Sequence, residues 1–148
     1  VGDGPLSSEM RSRVVNQSLT NVKFLGPQSL ERSAELVAAS DLQLVSLDSS
    51  AALSVALPSK IQVSMALAKP ILLSGEGESA HVVDRSGGGR THPSGDAFGL
   101  AESIRFLADS AGGELEEMGG RARSFYEREM SRAVGVQHLV ELLEAVRV

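Results

Sequence analysis

The chain has 148 residues, of which 42% are hydrophobic and 22% charged, as in an ordinary globular domain with a single core. A formal net charge of −5 and an aromatic content of 3% argue against a nucleic-acid binder. The chain contains no cysteine, which excludes disulfides and thiolate metal sites, and no apolar run approaches the roughly 20 residues that span a bilayer.

Helical and strand patterns alternate along the chain after a turn-rich start. "VGDGPL" resembles a turn that follows a strand, because Gly2 and Gly4 can take positive φ and Pro5 can open a helix. Since only Val1 precedes this turn, we expect the chain to be N-terminally truncated. The patterns predict helices at residues 5–17, 29–40, 58–68, 77–85, 95–110, 113–129 and 136–147, and strands at 21–26, 41–47, 70–74 and 89–93.

These elements predict an α/β fold class. Five β–α units, the first reduced to Val1 and its helix, are followed by C-terminal helices. Strands that alternate with helices in this way form a Rossmann-like parallel sheet flanked by helices on both faces. We therefore expect a single domain over residues 1–148, as a fragment of a longer two-domain chain.

The start of the helix near residue 58 is the best candidate for a ligand site. In parallel α/β sheets, ligands bind outside the carboxyl ends of the strands, where helices begin. Pro58 is followed there by the hydroxyl of Ser59 and the ammonium group of Lys60. Backbone N–H groups at a helix start attract anions, so this combination fits a phosphate or diphosphate. The alternative interpretation is a proline beside a solvated lysine.

Several motifs, in order, resemble those of a known family. They are Gly2-Asp3-Gly4-Pro5, "NVKFLG" at 21–26, "ELVAASD" at 35–41, Ala68-Lys69-Pro70 and "HPSGD" at 92–96. Together they are similar to the C-terminal, donor-binding half of a GT-B glycosyltransferase of the family four (group 1) type. "PSK" at 58–60 resembles the branch of that family in which these letters replace a Glu-Gly-Phe-Gly stretch. The resemblance implies one half of a GT-B fold.

The resemblance also assigns roles to loops. It implies that Ser59 and Lys60 meet the diphosphate of the donor, which agrees with the anion argument. Gly77 and Glu78, in the Gly-rich turn after the strand at 70–74, would present backbone N–H groups to the donor diphosphate and sugar.

A second set of residues is implied for the base and ribose of the donor. The loop of Gly26, Pro27 and Gln28 would lie against the base, and Gln62 and Val63 would lie near the ribose.

The chain departs from the family at two positions. Two glutamates of the family fall on Val55 and Val63 here, which puts their ribose and donor-sugar roles in doubt; Gln62 is the nearest polar replacement. His81 stands where many members carry a glutamate and is a further candidate for a donor contact.

The resemblance implies a glycosyltransferase that binds a nucleotide-diphosphate sugar and transfers the sugar to an acceptor hydroxyl. The donor would be UDP- or GDP-linked, and no metal or other cofactor is expected. The partner would be the missing N-terminal domain of the same chain, and we expect the fragment alone to be inactive. The location would be cytoplasmic, with peripheral association at the inner face of the membrane through the absent domain.

Two alternatives stay open. The loss of both glutamates favours a non-catalytic nucleotide-sugar-binding or assembly module of the same fold, and a sugar-nucleotide epimerase relative is a weaker option. His92, beside Pro93, either approaches a ligand or fills a loop. The histidines lack metal-ligand spacing, and the absence of Gly-x-Ser-x-Gly gives no basis for a Ser-His-Asp arrangement.

Overall fold

The computed structural model describes residues 2–50, 54–110 and 113–146, and it divides the chain into two compact units, 1–36 and 37–148. That the chain forms a single domain stays a prediction. The helices of the described residues are α1 (Ser7–Asn16), α2 (Leu30–Ala38), α3 (Ser59–Ala66), α4 (Glu78–Ser86), α5 (Ala97–Asp109), α6 (Gly113–Glu129) and α7 (Arg132–Ala145), and the strands are β1 (Gln43–Ser46), β2 (Ile71–Ser74) and β3 (Gly89–His92).

The first unit contains no fully buried residue among those described. Helix α1 forms where the 3.6-residue pattern predicts it. The same pattern places Leu6, Met10 and Val14 on one face and predicts that this face packs on a core, but Leu6 and Met10 are both exposed. The guanidinium of Arg11 lies over the ring of Phe24, 4.5 Å from its centroid. The periodicity therefore identified the helix correctly and its buried face wrongly.

The strand predicted at residues 21–26 does not form. Val22 and Leu25 are exposed, and this stretch is held by a backbone hydrogen bond from the Gly2 N–H to the Gly26 carbonyl at 2.9 Å. A strand requires a ladder of hydrogen bonds with a neighbour. A single bond provides no ladder, so this prediction was wrong for the described chain.

Helix α2 begins as predicted, with Ser29 as its cap. The Ser29 hydroxyl accepts the Arg32 N–H at 3.1 Å, which satisfies one of the free donors of the first turn. Hydrogen bonds from its own backbone N–H and from the Ser29 hydroxyl lower the pKa of Glu31 below its ordinary value of 4.5. Both groups stabilise the ionised carboxylate at the positive end of the helix.

The second unit is built on a three-stranded parallel sheet in the order β1-β2-β3. Gln43 of β1 pairs with Ile71 of β2, and Ile71 pairs in turn with Gly89 of β3. All four residues of β2 are buried, because both neighbours and both faces cover the central strand. The strands predicted at 70–74 and 89–93 are confirmed within one residue at an end, but the sheet of the described residues has three strands instead of the four that were predicted.

One face of the sheet holds the main hydrophobic core. It consists of buried side chains from β1, β2 and helices α3, α4 and α6: Val45, Ile61, Met65, Ile71, Leu73, Val82, Val83, Ala122 and Phe125. Aliphatic side chains dominate, as the low aromatic content requires. Helix α6 lies close to the end of α3. A Cβ atom at Gly119 would overlap the Ala68 backbone, and the Arg123 guanidinium donates to the Ala66 carbonyl.

Helix α5 covers the opposite face of β2 and β3. The Arg90 guanidinium of β3 lies 4.2 Å from the centroid of the Phe106 ring of α5, and His92 hydrogen-bonds Ser103 of the same helix. On β1, Leu44 projects to this face and is 56% exposed, so only Val45 of β1 is buried. The predicted apolar strand at 41–47 is therefore shorter than expected and buried on one face only.

Helix starts were predicted to within a few residues, and their caps explain the differences. Asp96 accepts the Gly99 N–H at 2.9 Å, so α5 begins at Ala97 instead of 95. Ser131 accepts the Val134 N–H at 3.4 Å, so α7 begins at Arg132, four residues before the predicted 136. Residues 51–53, between β1 and α3, lie outside the described residues.

Candidate functional site

The carboxyl ends of the three strands are joined by hydrogen bonds between successive loops. The Leu47 N–H donates to the Ser74 carbonyl at 2.8 Å, and the Gly75 N–H donates to the His92 carbonyl at 2.9 Å. The Ser94 hydroxyl then donates to the Leu47 carbonyl at 2.8 Å, which connects the loops after β3 and β1. This carboxyl edge, residues 47–48, 75–78 and 93–96, is the place where parallel α/β folds bind ligands.

The start of α3 is open to solvent. Pro58, the N-cap, has an extended ψ of 138° and makes no side-chain cap hydrogen bond. Ser59 and Lys60 are exposed, and the first turn contains no acidic residue. The Ile61 N–H donates to the Pro58 carbonyl at 3.0 Å, while helix geometry leaves the N–H groups of the two preceding residues without an intrahelical acceptor. An anion therefore meets two free donors, a hydroxyl and an ammonium group here.

The start of α4 is partly covered by the chain that leads into α3. Gly77, the N-cap, has a φ of +71°, and a Cβ atom there would lie 2.7 Å from the Ser54 Cα. The Ser79 hydroxyl donates to the Ala56 carbonyl at 2.7 Å, and Glu78 places an exposed carboxylate in the first turn. The two helix starts are thus held side by side at the carboxyl edge, but only α3 offers an uncovered tip.

The remaining sequence candidates of the second unit lie on the same two helices. Gln62 is half-buried, and Val63 is 39% exposed, one residue further along α3. Val55, which precedes α3, is 79% exposed. His81 is exposed on α4, where its N–H donates to the Gly77 carbonyl at 3.0 Å. Neither valine can hydrogen-bond a ligand through its side chain.

The loop of Gly26, Pro27 and Gln28 belongs to the first unit. Gly26 has a φ of +66°, and the Gln28 side-chain amide donates to the Leu25 carbonyl at 2.6 Å. The backbone is therefore turned and held locally, as a loop that presents backbone groups requires. Its role at the nucleotide base stays a prediction.

A charged group also follows β1. The Asp48 carboxylate accepts the Ser50 N–H at 2.8 Å, and hydrogen bonds from the Ser50 hydroxyl and N–H lower the pKa of Asp48 below its ordinary value of 3.8. This carboxylate therefore stays ionised, and its negative charge disfavours an anion beside the end of β1.

The sequence analysis missed a polar cluster at the end of β3. His92 Nε2 lies 2.8 Å from the Ser103 hydroxyl, and its Nδ1 lies 3.5 Å from Asp96 Oδ2. The structure therefore does assemble a serine, a histidine and an aspartate, although no Gly-x-Ser-x-Gly motif is present. The contact of His92 with Asp96 could have been predicted, because the aspartate follows four residues later and caps a helix. The contact with Ser103, eleven residues away, could not, because it depends on how α5 packs.

Neither a metal centre nor a membrane span is seen in the described part of the chain. No group of three or more histidine, aspartate or glutamate side chains is arranged to hold a metal ion within residues 2–50, 54–110 and 113–146. No described helix combines the length and the apolar character needed to cross a membrane.

Comparison with known proteins finds a similar sequence and similar solved structures. No family model matches the chain. The chain is 27% identical over 139 residues to the probable glycosyltransferase WbjE of Pseudomonas aeruginosa. The match covers 93% of this chain and 34% of the relative. The chain therefore spans about a third of the length of that protein.

One of the similar solved structures is that of Alr3699/HepE from Anabaena in complex with UDP-glucose. It matches with a TM-score of 0.76 and 20% identity over 98% of this chain and 40% of that one. This likeness confirms the predicted α/β fold class, a parallel sheet flanked by helices as in one half of a GT-B fold. The chain is thus similar in sequence to a probable glycosyltransferase, and in fold to part of a protein solved with UDP-glucose.

Proposed function

We propose that the chain is the nucleotide-sugar-binding part of a glycosyltransferase. An acceptor hydroxyl oxygen bonds to the anomeric carbon of the donor and gives up its proton to a base, while the bond from that carbon to the diphosphate breaks and the nucleoside diphosphate departs. Sequence similarity to a probable glycosyltransferase and a fold shared with a UDP-glucose-bound protein support this reaction class. Membership of the P-S-K branch of family four remains a prediction.

The observation that carries the proposal is the open start of α3. Negative charge grows on the diphosphate as the sugar leaves, and preorganised donors aimed at such charge lower the barrier. Ser59 and Lys60 are exposed at the carboxyl edge, with no acidic side chain in their turn. In this proposal, Lys60 and the free N–H groups of α3 hold the diphosphate, and the Ser59 hydroxyl supplies a further hydrogen bond.

The other predicted contacts are assigned by their place along the chain. Gly77 and Glu78 lie beside the donor sugar and its phosphate, but the Glu78 carboxylate repels a phosphate, so this turn fits the neutral sugar better. His81, on the exposed side of α4, is a candidate for a sugar hydroxyl.

The nucleoside contacts are proposed for two further stretches. Gly26, Pro27 and Gln28 face the base, while Gln62 and Val63 lie near the ribose. Of the last two, Gln62 is the one whose side chain can hydrogen-bond a ribose hydroxyl.

Sugar transfer is proposed to require a longer protein of which this chain is one part. The chain spans 34% of WbjE and 40% of the HepE chain, so the acceptor site and any catalytic base are proposed to lie on an N-terminal domain of the same protein. The donor is proposed to be UDP- or GDP-linked and to bind without a metal. A cytoplasmic location, with peripheral association at the inner face of the membrane through that domain, is part of the same proposal.

A second candidate function is nucleotide-sugar binding without transfer. Val55 and Val63 are exposed at the two positions where the resembled family carries glutamates. An enzyme that lacks both carboxylates has lost two polar contacts to the donor. A binding or assembly module retains affinity for UDP-glucose yet transfers no sugar even when joined to the rest of the protein.

Titration with nucleotides tests the proposal. Calorimetry or NMR would compare UDP, GDP and UDP-glucose with uridine, on the wild type and on Lys60→Ala. Removal of a charge-assisted contact costs about 1–2 kcal/mol, so we expect UDP affinity to fall about 5- to 30-fold while uridine binding is unchanged.

Lys69→Ala is the matched control, because it removes the same charge just before β2, at the opposite edge of the sheet. We expect it to bind UDP as the wild type does. Equal losses for UDP and uridine, or equal losses in the two variants, would contradict the diphosphate role of Lys60.

A further inference from the structure

The polar cluster of His92, Asp96 and Ser103 uses both nitrogens of one imidazole. The Ser103 hydroxyl is 2.8 Å from Nε2, and Asp96 Oδ2 is 3.5 Å from Nδ1. Ser103 is 7% exposed and the His92 side chain 19%, so their contact is largely shielded from water, whereas the Asp96 side chain is 37% exposed. Asp96 has a second task, since its Oδ1 accepts the Gly99 N–H and caps α5.

These distances select one tautomer of the neutral imidazole. An ionised carboxylate has only acceptors, so Nδ1 beside it is favoured when it carries a proton. The unprotonated Nε2 then accepts a hydrogen bond from the Ser103 hydroxyl, which is able to rotate to donate. One arrangement of protons thus places the Nδ1–H beside the Asp96 carboxylate and forms the hydrogen bond between Ser103 and Nε2.

Gly99 creates the space that this arrangement needs. A Cβ atom at position 99 would lie 2.6 Å from His92 Nδ1 and 3.0 Å from the Asp96 carboxyl carbon. Any other residue would therefore push the imidazole and the carboxylate apart. The close approach of the first turn of α5 to the end of β3 depends on this glycine.

We propose that His92 is a positioning residue, fixed as its Nδ1–H tautomer between Ser103 and Asp96, which holds the turn after β3 at the carboxyl edge. The His92 carbonyl accepts the Gly75 N–H, and Ser94 in this turn donates to the Leu47 carbonyl. The imidazole thereby fixes the spacing of all three strand ends. Its relevance to donor binding rests on the proposed function.

A hydrolytic Ser-His-Asp triad is a poor alternative for this cluster. A nucleophilic serine must reach a substrate carbonyl, whereas Ser103 is buried in the middle of α5. Its hydroxyl is directed to the imidazole from the interior side. The cluster therefore acts on the conformation of the turn and makes no covalent intermediate.

NMR of the histidine ring nitrogens tests the tautomer without any ligand. We expect His92 of the wild type to show a protonated Nδ1 and an unprotonated Nε2 at neutral pH. Asp96→Ser is the informative variant, because serine still caps α5 but offers no carboxylate to Nδ1. In this variant we expect Nε2-protonated His92 to appear. An Nε2–H tautomer in the wild type, or no change in the variant, would overturn the proposal.

UDP-glucose titration and hydrogen exchange test the positioning role. We expect Asp96→Ser to lower UDP-glucose affinity about three- to tenfold and to speed exchange of the Gly75 amide, with unchanged global stability, because misplaced strand ends bind less well. His92→Asn keeps a donor toward Asp96 and should recover most of the affinity that His92→Leu loses.

The outcomes separate the two proposals. A wild type that does not bind UDP-glucose contradicts the proposed function but leaves the tautomer and the exchange result to decide the role of His92. A wild type that binds, with Asp96→Ser and His92→Leu binding equally well, overturns the positioning role alone.

Discussion

Helices α3 and α4 begin at the same edge of the same sheet, but their first turns are chemically opposite. The start of α3 is uncovered, carries Lys60 and has no acidic residue. The start of α4 lies against the backbone of Ser54 and carries Glu78. Both have the partial positive charge of a helix N-terminus. In α4 the Glu78 carboxylate compensates that charge, whereas the first turn of α3 has no acidic side chain to do so.

This difference shows that a helix start is not a binding site by topology alone. In α4 a carboxylate and a packed loop already stabilise the free end, so little remains for a phosphate. In α3 the extended Pro58 provides no side-chain acceptor. An anion that binds there would therefore be stabilised more by the helix N-terminus than one that binds at α4. The following changes alter the two starts one at a time, from the largest expected effect to the smallest.

Gly77→Ala should be strongly destabilising, because it breaks the covered start of α4. The φ of +71° costs an alanine about 1–3 kcal/mol. The overlap of its Cβ with Ser54 adds about 1–3 kcal/mol more. Urea unfolding measures the sum as a lower free energy of unfolding.

Gly95→Ala is the matched control for this change. Gly95 also has positive φ, +84°, but nothing lies within 4 Å of a Cβ there, so only the backbone cost applies. If the two substitutions destabilise the chain equally, the packing of Ser54 on α4 contributes nothing.

Ser59→Asp should make the start of α3 resemble that of α4. A carboxylate in the first turn stabilises the helix by about 0.3–1 kcal/mol. The same charge repels a diphosphate, and we expect UDP affinity to fall about tenfold. Thermal unfolding and calorimetry on one sample measure the two opposite effects.

Ser59→Asn, of the same shape but without charge, should change UDP affinity far less. Lower stability together with unchanged UDP affinity in Ser59→Asp would show that the helix start is not the anion site.

Glu78→Gln should have the smallest effect. It removes the carboxylate from the first turn of α4 and costs about 0.3–1 kcal/mol of stability. UDP affinity should rise about twofold at most, since the covered tip does not hold the diphosphate. Glu76→Gln, one residue before the cap, provides a control that leaves the first turn intact. A large gain in affinity for Glu78→Gln would place the phosphate at α4 instead.

The sequence predicted the elements whose signals are local. The helix start at Ser29, the buried strand at Ile71–Ser74 and the helix start after Pro58 depend on a few neighbouring residues, and the structure confirms each of them to within one residue. The predicted strand at 21–26 failed because a strand depends on a partner that local sequence cannot supply.

The less predictable parts of the site depend on packing between distant residues. Ser54 packs on Gly77, and His92 contacts Ser103. Both contacts depend on how loops and helices that are distant in sequence pack together. Neither has a spacing rule that can be read from one sequence. The hydroxyl and the ammonium group at the start of α3 were predictable, because Ser59 and Lys60 lie within one helical turn.

The hydrogen bond from Ser94 to Leu47 also bears on the order in which the sheet assembles. It joins residues 47 positions apart and skips over the central strand. Closing so long a loop costs more chain entropy than pairing either neighbouring strand to β2. We therefore expect this bond to form late in refolding, after both strand pairs, and to be among the first to open when the native chain fluctuates.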